Sequence, residues 1–362
     1  MSRGARGPIR VAVVGFGLGG AVFHAPLVAA NPDLSLRSIV TSDPDRVARA
    51  RERYPDARVL PDVSALWADA DEHDLVVVTT PNRFHVPIAL DAMEHGLHVV
   101  VDKPLAHSAE EGRRVAAAAA DRGLVFTVFQ NRRLDGDFLT LRRLLDDGAI
   151  DGVLRFESRF ERWRPDLPAG EWRESAVPEE AGGLLYDLGS HLVDQAVHLF
   201  GRPTHVYAEV ERRRAGAEVD DDAFIALRHP GGELSHLWMS AVAGSLGPRY
   251  RVLGRTGAFV KDGLDVQEAQ LAAGVVPGDP KYGIEPEGSW GRLVAGDASS
   301  PVPTERGDYP RFYAGVVGAI RDGEEPPVSS ADVVGVLEIL EASRAAAASR
   351  AVVELPVAGI RR

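Results

Sequence analysis

The chain has 362 residues, 45% of them hydrophobic and 26% charged, with a net charge of -12 and no cysteine. That length suits two domains, and the composition is that of a globular protein. The acidic balance argues against nucleic acid or an anionic membrane surface as a partner, because both recruit Lys and Arg. Without cysteine there are no disulfides, thiolate nucleophiles or Cys-ligated zinc.

The N-terminus, MSRGARGPIRVAVVGFG, has basic residues but only a short apolar run broken by glycines, so no secretory leader is predicted. No window approaches the roughly 18 uninterrupted apolar residues of a membrane span. A cytoplasmic location is expected.

In chain order, IRVAVVG (9 to 15) is a β-branched strand ending in glycine. A helical pattern follows and closes at Asn31-Pro32. LSLRSIVTS (34 to 42) reads as a second strand, PDRVARARERY as a charged helix and DLVVVTT (74 to 80) as a buried strand. HVPIALDAMEHG is a helix that Gly96 ends, and LHVVVDKP (97 to 104) is another buried strand. SAEEGRRVAAAAADRG is a helix capped by Ser108 with Glu111 three residues on, and LVFTVFQ (124 to 130) closes the series. Apolar strands alternating with helices predict a doubly wound parallel sheet, a dinucleotide-binding Rossmann domain over 1 to 125.

The pattern then changes. GVLRFESRFERW (152 to 163), THVYAEVERRR (204 to 214), DAFIALRHPGGELSHLWMS (222 to 240) and RYRVLGRTGAFVKDG (249 to 263) alternate apolar and polar residues. His229-Pro230-Gly231-Gly232 and Gly254-Arg255-Thr256-Gly257 read as turns between antiparallel strands. These strands and turns predict an α+β domain over 126 to 362. The stretch from 272 to 308 is read as loop. Helices at about 309 to 322 and 331 to 349 end the chain.

Gly15-Phe16-Gly17-Leu18-Gly19-Gly20 sits between the first strand and a helix, the context a GxGxxG loop needs to bind a dinucleotide. Gly15 would allow the tight turn, Gly17 the approach of a pyrophosphate, and Gly20 close packing of helix on strand. At the end of the second strand an NAD enzyme usually carries an acid. Thr41 and Ser42 stand there instead, and Arg46 starts the next helix. Hydroxyls and a guanidinium suit a 2'-phosphate, so NADP is expected, with NAD possible because Asp43 is one residue away. Thr80, Pro81, Asn82 and His85 follow the third long strand, at the end where ligands bind in such sheets.

Lys103 ends the next buried strand, where a lysine needs a partner or a task. In GGLLYDLGSHLVDQAVHLFG (182 to 201), Asp187 and His191 lie four residues apart in an apolar helical pattern and would share one face. Such a face makes sense lining a cleft, with His191 taking a hydroxyl proton and Asp187 orienting substrate or imidazole. No metal site is expected: the aspartate and histidine lack a further ligand cluster.

Gly15-x-Gly17-x-x-Gly20, TPN at 80 to 82, DKP at 102 to 104 and GGLLYDLGSHLVD at 182 to 194, in this order, resemble the glucose–fructose oxidoreductase / inositol dehydrogenase / rhizopine-catabolism (Gfo/Idh/MocA) family. Asp102 replaces the glutamate usual before the lysine. The resemblance implies a catalytic Lys, Asp and His at Lys103, Asp187 and His191, a C-terminal substrate-binding and oligomerisation domain with a large, mostly antiparallel open sheet, and a homodimer or homotetramer. FHAPL, TVFQNRRLDGDFLTL and FESRFERWRP are similar to the branch holding NADP-dependent scyllo-inositol dehydrogenases. That implies Asn131, Arg132, Arg159 and Trp163 near the substrate. The expected activity is reversible oxidation of a secondary alcohol of a polyol, inositol or sugar. The alternatives are a non-catalytic dinucleotide-binding sensor on this fold and a dihydrodiol dehydrogenase-like reductase.

Overall fold

The structure is a computed structural model that describes residues 7–167 and 172–356. Residues 1–6, on which part of the leader reading rests, and the last residues of the expected C-terminal domain lie outside the described residues. No described helix is long and apolar enough to cross a membrane.

Six parallel strands form the first sheet: β1 (Ile9–Val14), β2 (Leu34–Val40), β3 (Arg58–Leu60), β4 (Leu75–Val78), β5 (His98–Val101) and β6 (Phe126–Val128). Their spatial order is β3-β2-β1-β4-β5-β6. Val76, Val77, Val99 and Val100 are fully buried, because helices cover both faces; this is why these strands read as unbroken apolar runs. The strand order turns back between β1 and β4, and the carboxyl ends of the central strands open a crevice there. The covering helices are α1 (Ala25–Ala30), α2 (Pro44–Arg53), α3 (Val63–Ala68), α4 (His85–Glu94) and α5 (Ala109–Arg122). Ser108 caps α5 through Glu111 N–H, as its spacing predicts, and Gly123 ends it with a left-handed φ of 63°.

After α6 (Gly136–Asp146), the chain builds a nine-stranded sheet. Its strands are β7 (Arg155–Glu161), β8 (His205–Glu211), β9 (Asp222–Arg228), β10 (Leu234–Ser240), β11 (Tyr250–Leu253), β12 (Ala258–Lys261), β13 (Gly291–Ala295), β14 (Ala298–Val302) and β15 (Val353–Glu354). The order is β14-β13-β12-β11-β7-β10-β9-β8-β15. All neighbours are antiparallel except β7 and β10. Both expected turns join hairpins, β9 to β10 and β11 to β12.

The stretch expected as loop holds the β13–β14 hairpin instead. These strands lie at the sheet edge and are mostly exposed, so they lack the apolar alternation that marks the inner strands.

One face of this sheet is covered by helices. α7 (Leu184–Asp187) and α8 (Gly189–Phe200) follow β7, then α9 (Gln267–Ala272), α10 (Pro310–Asp322) and α11 (Ser330–Ser349). α8 lies on β7 and β10, and α11 lies on β8 and also against α5. Arg113 pairs with Glu338, and the Ala109 N–H donates to Glu341, tying α5 to α11. The crevice of the first sheet therefore faces the α7–α8 region of the second.

Candidate functional site

The glycine loop is shaped by close approach. Gly15 has φ +97°, and a Cβ there would come within 2.8 Å of the Thr79 carbonyl oxygen. A Cβ on Gly20 would overlap the Gly15 carbonyl oxygen. Thr79, which the motif does not mark, donates from Oγ1 to the Gly15 carbonyl at 2.8 Å and braces the turn. Gly19 is also constrained: a Cβ there would lie 2.6 Å from Asp102 Oδ2. Gly17 differs, since its Cβ would meet only Arg46, at 3.7 Å. The protein itself does not need glycine at 17; the room suits a ligand's approach. Phe16 is 1% exposed in a small cluster with Ile39 and Ala50, so only its backbone belongs to the loop, whereas Leu18 stands 58% exposed.

At the end of β2, Thr41 is buried, and Ser42 and Arg46 are exposed beside the loop. The Asp43 carboxylate accepts the Arg46 N–H at 2.9 Å and so caps α2. Thr80 follows β4 with a buried Oγ1 that has no partner among the described residues, a polar atom the crevice leaves to a ligand. The side chains of Asn82 and His85 both have partners in the protein. Asn82 Nδ2 donates to the Glu180 carbonyl at 2.8 Å. His85 is 1% exposed, with its ring nitrogens 2.8 Å from the Thr80 carbonyl and 2.9 Å from the Pro104 carbonyl. These contacts fasten both residues within the crevice wall. The loop, its open face at Gly17, the unpaired Thr80 hydroxyl and Arg46 together fit a nicotinamide dinucleotide.

Lys103 leaves β5 toward α7. Its Nζ donates to Asp187 Oδ1 and to the Asp187 carbonyl, both at 2.7 Å. The helix breaks at Leu188, between α7 and α8, which places Asp187 at a C-terminal end and His191 in a first turn. So Asp187 grips the lysine, not the imidazole, contrary to one of the two roles expected for it. Burial pushes the Asp187 carboxyl up, but Lys103 and Arg173 outweigh it and hold it at about 2. Arg173 Nε is 3.8 Å away. His191 is 4% exposed, and its enclosed Nδ1 has no partner among the described residues. Burial, then Lys103, Arg132, Arg249 and Arg162, push its pKa well below the ordinary value. It is therefore neutral near pH 7, the form that accepts a proton. Lys103, Asp187 and His191 are thus brought together.

The backbone of Lys103 is fixed from behind. Asp102 Oδ1 accepts the Lys103 N–H at 2.8 Å, and Oδ2 faces His24 Nε2 at 3.9 Å. Burial raises the Asp102 carboxyl, but His24 and Lys103 more than offset this, so it stays ionised.

The four residues expected near the substrate divide. Asn131 and Arg132 are buried on the turn after β6. Arg132 pairs with Glu268 at 2.6 Å and stacks on Phe160. Arg159 and Trp163 are not brought to the site. In β7, Phe156, Ser158 and Phe160 point to the helix-covered face, so Arg159 points to the other face, 4.0 Å over the Trp238 ring. Trp163 is 61% exposed and lies over Gly244. The residue that alternation does bring inward is Arg162, with its guanidinium 4.9 Å from the Phe160 ring. Among the described residues no group of His, Asp and Glu could hold a metal.

Comparison with known proteins gives the family. Residues 9–130 match the family described as "Oxidoreductase family, NAD-binding Rossmann fold", and residues 138–260 match the GFO/IDH/MocA C-terminal domain. The chain is 34% identical to scyllo-inositol 2-dehydrogenase (NADP(+)) IolW of Bacillus subtilis, over 92% of each chain. It is 32% identical to D-glucoside 3-dehydrogenase of Escherichia coli over 54% of this chain and 55% of that one. The solved structure of yvaA from Bacillus subtilis superposes with a TM-score of 0.91 at 33% identity, covering 98% of this chain and all (100%) of that one.

Proposed function

Because the chain belongs to the GFO/IDH/MocA oxidoreductase family and is a dehydrogenase of CH–OH donors, we propose that it uses NADP to interconvert a secondary alcohol and a ketone on a polyol, inositol or sugar. One observation carries the chemical part: Lys103, at the end of β5, grips Asp187, at the end of α7, beside a neutral His191 whose Nδ1 has no partner among the described residues. The glycine loop, Thr80, Thr41, Ser42 and Arg46 would hold the dinucleotide, which when bound supplies the hydride acceptor or donor.

The chain's own groups then divide the work. Lys103 donates a hydrogen bond to the carbinol oxygen and favours its developing negative charge. Asp187 keeps the ammonium aimed. His191 takes the hydroxyl proton at Nε2, the ring nitrogen that is not enclosed. The hydroxyls and guanidinium at the end of β2 favour NADP, and capping of α2 by Asp43 weakens the case for a 2'-hydroxyl acceptor there. The outer face of the nine-stranded sheet, bearing Arg159, Trp238 and Phe224, would join copies into a homo-oligomer. The protein would act in the cytoplasm.

The test is a panel of inositols, hexitols, aldoses, aldonates and uronates with NADP+ and with NAD+, followed by the absorbance of the reduced nicotinamide. Turnover of at least one secondary alcohol, faster with NADP+, is expected. Tight cofactor binding with no turnover across the panel would instead favour a sensor.

A further inference from the structure

Around Asp187 and His191 the structure gathers more positive charge than it answers. Lys103, Arg173 and Arg162 weigh on Asp187, and Lys103, Arg132, Arg249 and Arg162 weigh on His191. Most of these cations have acceptors. Lys103 has Asp187. Arg173 also reaches Asp187, at 3.8 Å. Arg132 has Glu268 at 2.6 Å and Asp135 at 3.4 Å. Arg249 donates to Ser158 Oγ, Gln195 Oε1 and the Arg159 carbonyl.

Arg162 is the exception. Among the described residues its guanidinium has a ring contact with Phe160 and no hydrogen bond or ion pair. Burial, then Arg164 and Arg132, push its pKa down, while Asp187 and Glu268 pull the other way without prevailing. Every other described arginine with a shifted value goes up: Arg10, Arg132, Arg133 and Arg214. A partly buried cation without an acceptor is costly, and the cost is recovered when an anion arrives. The local excess is also not inherited from composition, since the whole chain carries -12.

We propose that the substrate is a sugar acid: a carboxylate of a polyhydroxylated acid seats on Arg162 while a neighbouring carbinol meets Lys103 and His191. The planar guanidinium presents a fork of donors that matches a carboxylate in two places, and stacking on Phe160 holds that plane. One unanswered guanidinium balances one negative charge, which fits a carboxylate better than a phosphate dianion. This assignment rests on the dehydrogenase reading above and sharpens its substrate class from neutral polyols to aldonates or uronates.

The test uses charge-matched pairs: D-gluconate against D-glucitol, D-galactonate against D-galactitol, and D-glucuronate against D-glucose. Binding to the NADPH-loaded protein is measured by calorimetry, and turnover with NADP+ in parallel. At least one acid is expected to bind at least about tenfold tighter than its neutral partner. Arg162→Met should bring that ratio close to one, and Arg162→Lys should give an intermediate value, because the charge remains without the fork. NADPH affinity checks that each variant is folded. Equal binding within every pair, a ratio that survives Arg162→Met, or no binding of any acid overturns the assignment. Turnover of neutral polyols without a preference for acids sinks the sugar acid but leaves the dehydrogenase. Arg162-dependent acid binding without turnover of any compound does the reverse.

Discussion

Replacing Gly17 and Gly20 by alanine should have opposite consequences, although both belong to one motif. At Gly20 a methyl would overlap the Gly15 carbonyl oxygen and lie 2.8 Å from Thr79 Oγ1. The first obstacle is backbone, so the loop itself must move, at a cost of about 1–3 kcal/mol. At Gly17 the methyl would meet only the Arg46 side chain, at 3.7 Å and beyond. The unliganded protein should therefore accept Gly17→Ala with its melting temperature within about 1 °C of wild type. The same methyl occupies the space expected for the pyrophosphate. Losing one charge-assisted backbone hydrogen bond costs about 1.5–3 kcal/mol, so NADPH should bind roughly ten- to a hundredfold more weakly. Thermal melts without ligand and fluorescence titration with NADPH read the two effects separately. If Gly17→Ala melts as low as Gly20→Ala, or binds NADPH like wild type, the assignment of the loop is wrong.

Arg46→Ala should weaken NADPH about tenfold and leave NADH nearly unchanged; equal losses for both would remove Arg46 from the 2'-phosphate. The rate of alcohol oxidation should stay flat as pH falls from 8 to about 6.5 and decline only below, because His191 must be neutral and its pKa lies well below the ordinary value. A decline centred above pH 7 would assign the base elsewhere. The drop of the Asp187 carboxyl from 3.8 to about 2 stabilises its charge by roughly 2–3 kcal/mol, with Lys103 the foremost contributor. Lys103→Met and Asp187→Asn should therefore be non-additive, the double variant turning over within about threefold of Lys103→Met alone; additive losses in kcat/KM would show that the two act independently.

The central strands of the first sheet are legible because burial on both faces leaves a run such as Val76–Val78 no other reading. The edge strands β13 and β14 are not, since exposed residues on a sheet margin carry no such signal. Lys103 stands out in sequence as a cation at the end of an apolar strand. Its grip on Asp187 is a contact across 84 positions, which no local pattern encodes. For His85, sequence shows its place after β4 but not the two carbonyls that enclose its ring. Arg159 and Arg162 show how register decides. Both lie in one basic stretch, yet only Arg162 shares parity with Phe156 and Phe160, the apolar residues that mark the inner face. Counting by two from those phenylalanines selects Arg162; composition alone does not.

The central claim is that an ammonium at the end of β5 and an imidazole on α8 act on one alcohol beside the dinucleotide. It is tested most directly by comparing NADP+ reduction on the best polyol substrate in wild type, Lys103→Met and His191→Ala, with cofactor affinity measured for each. Both variants should bind NADPH within about threefold of wild type and lose at least about a hundredfold in kcat. Either variant turning over at the wild-type rate while binding cofactor normally would contradict the account.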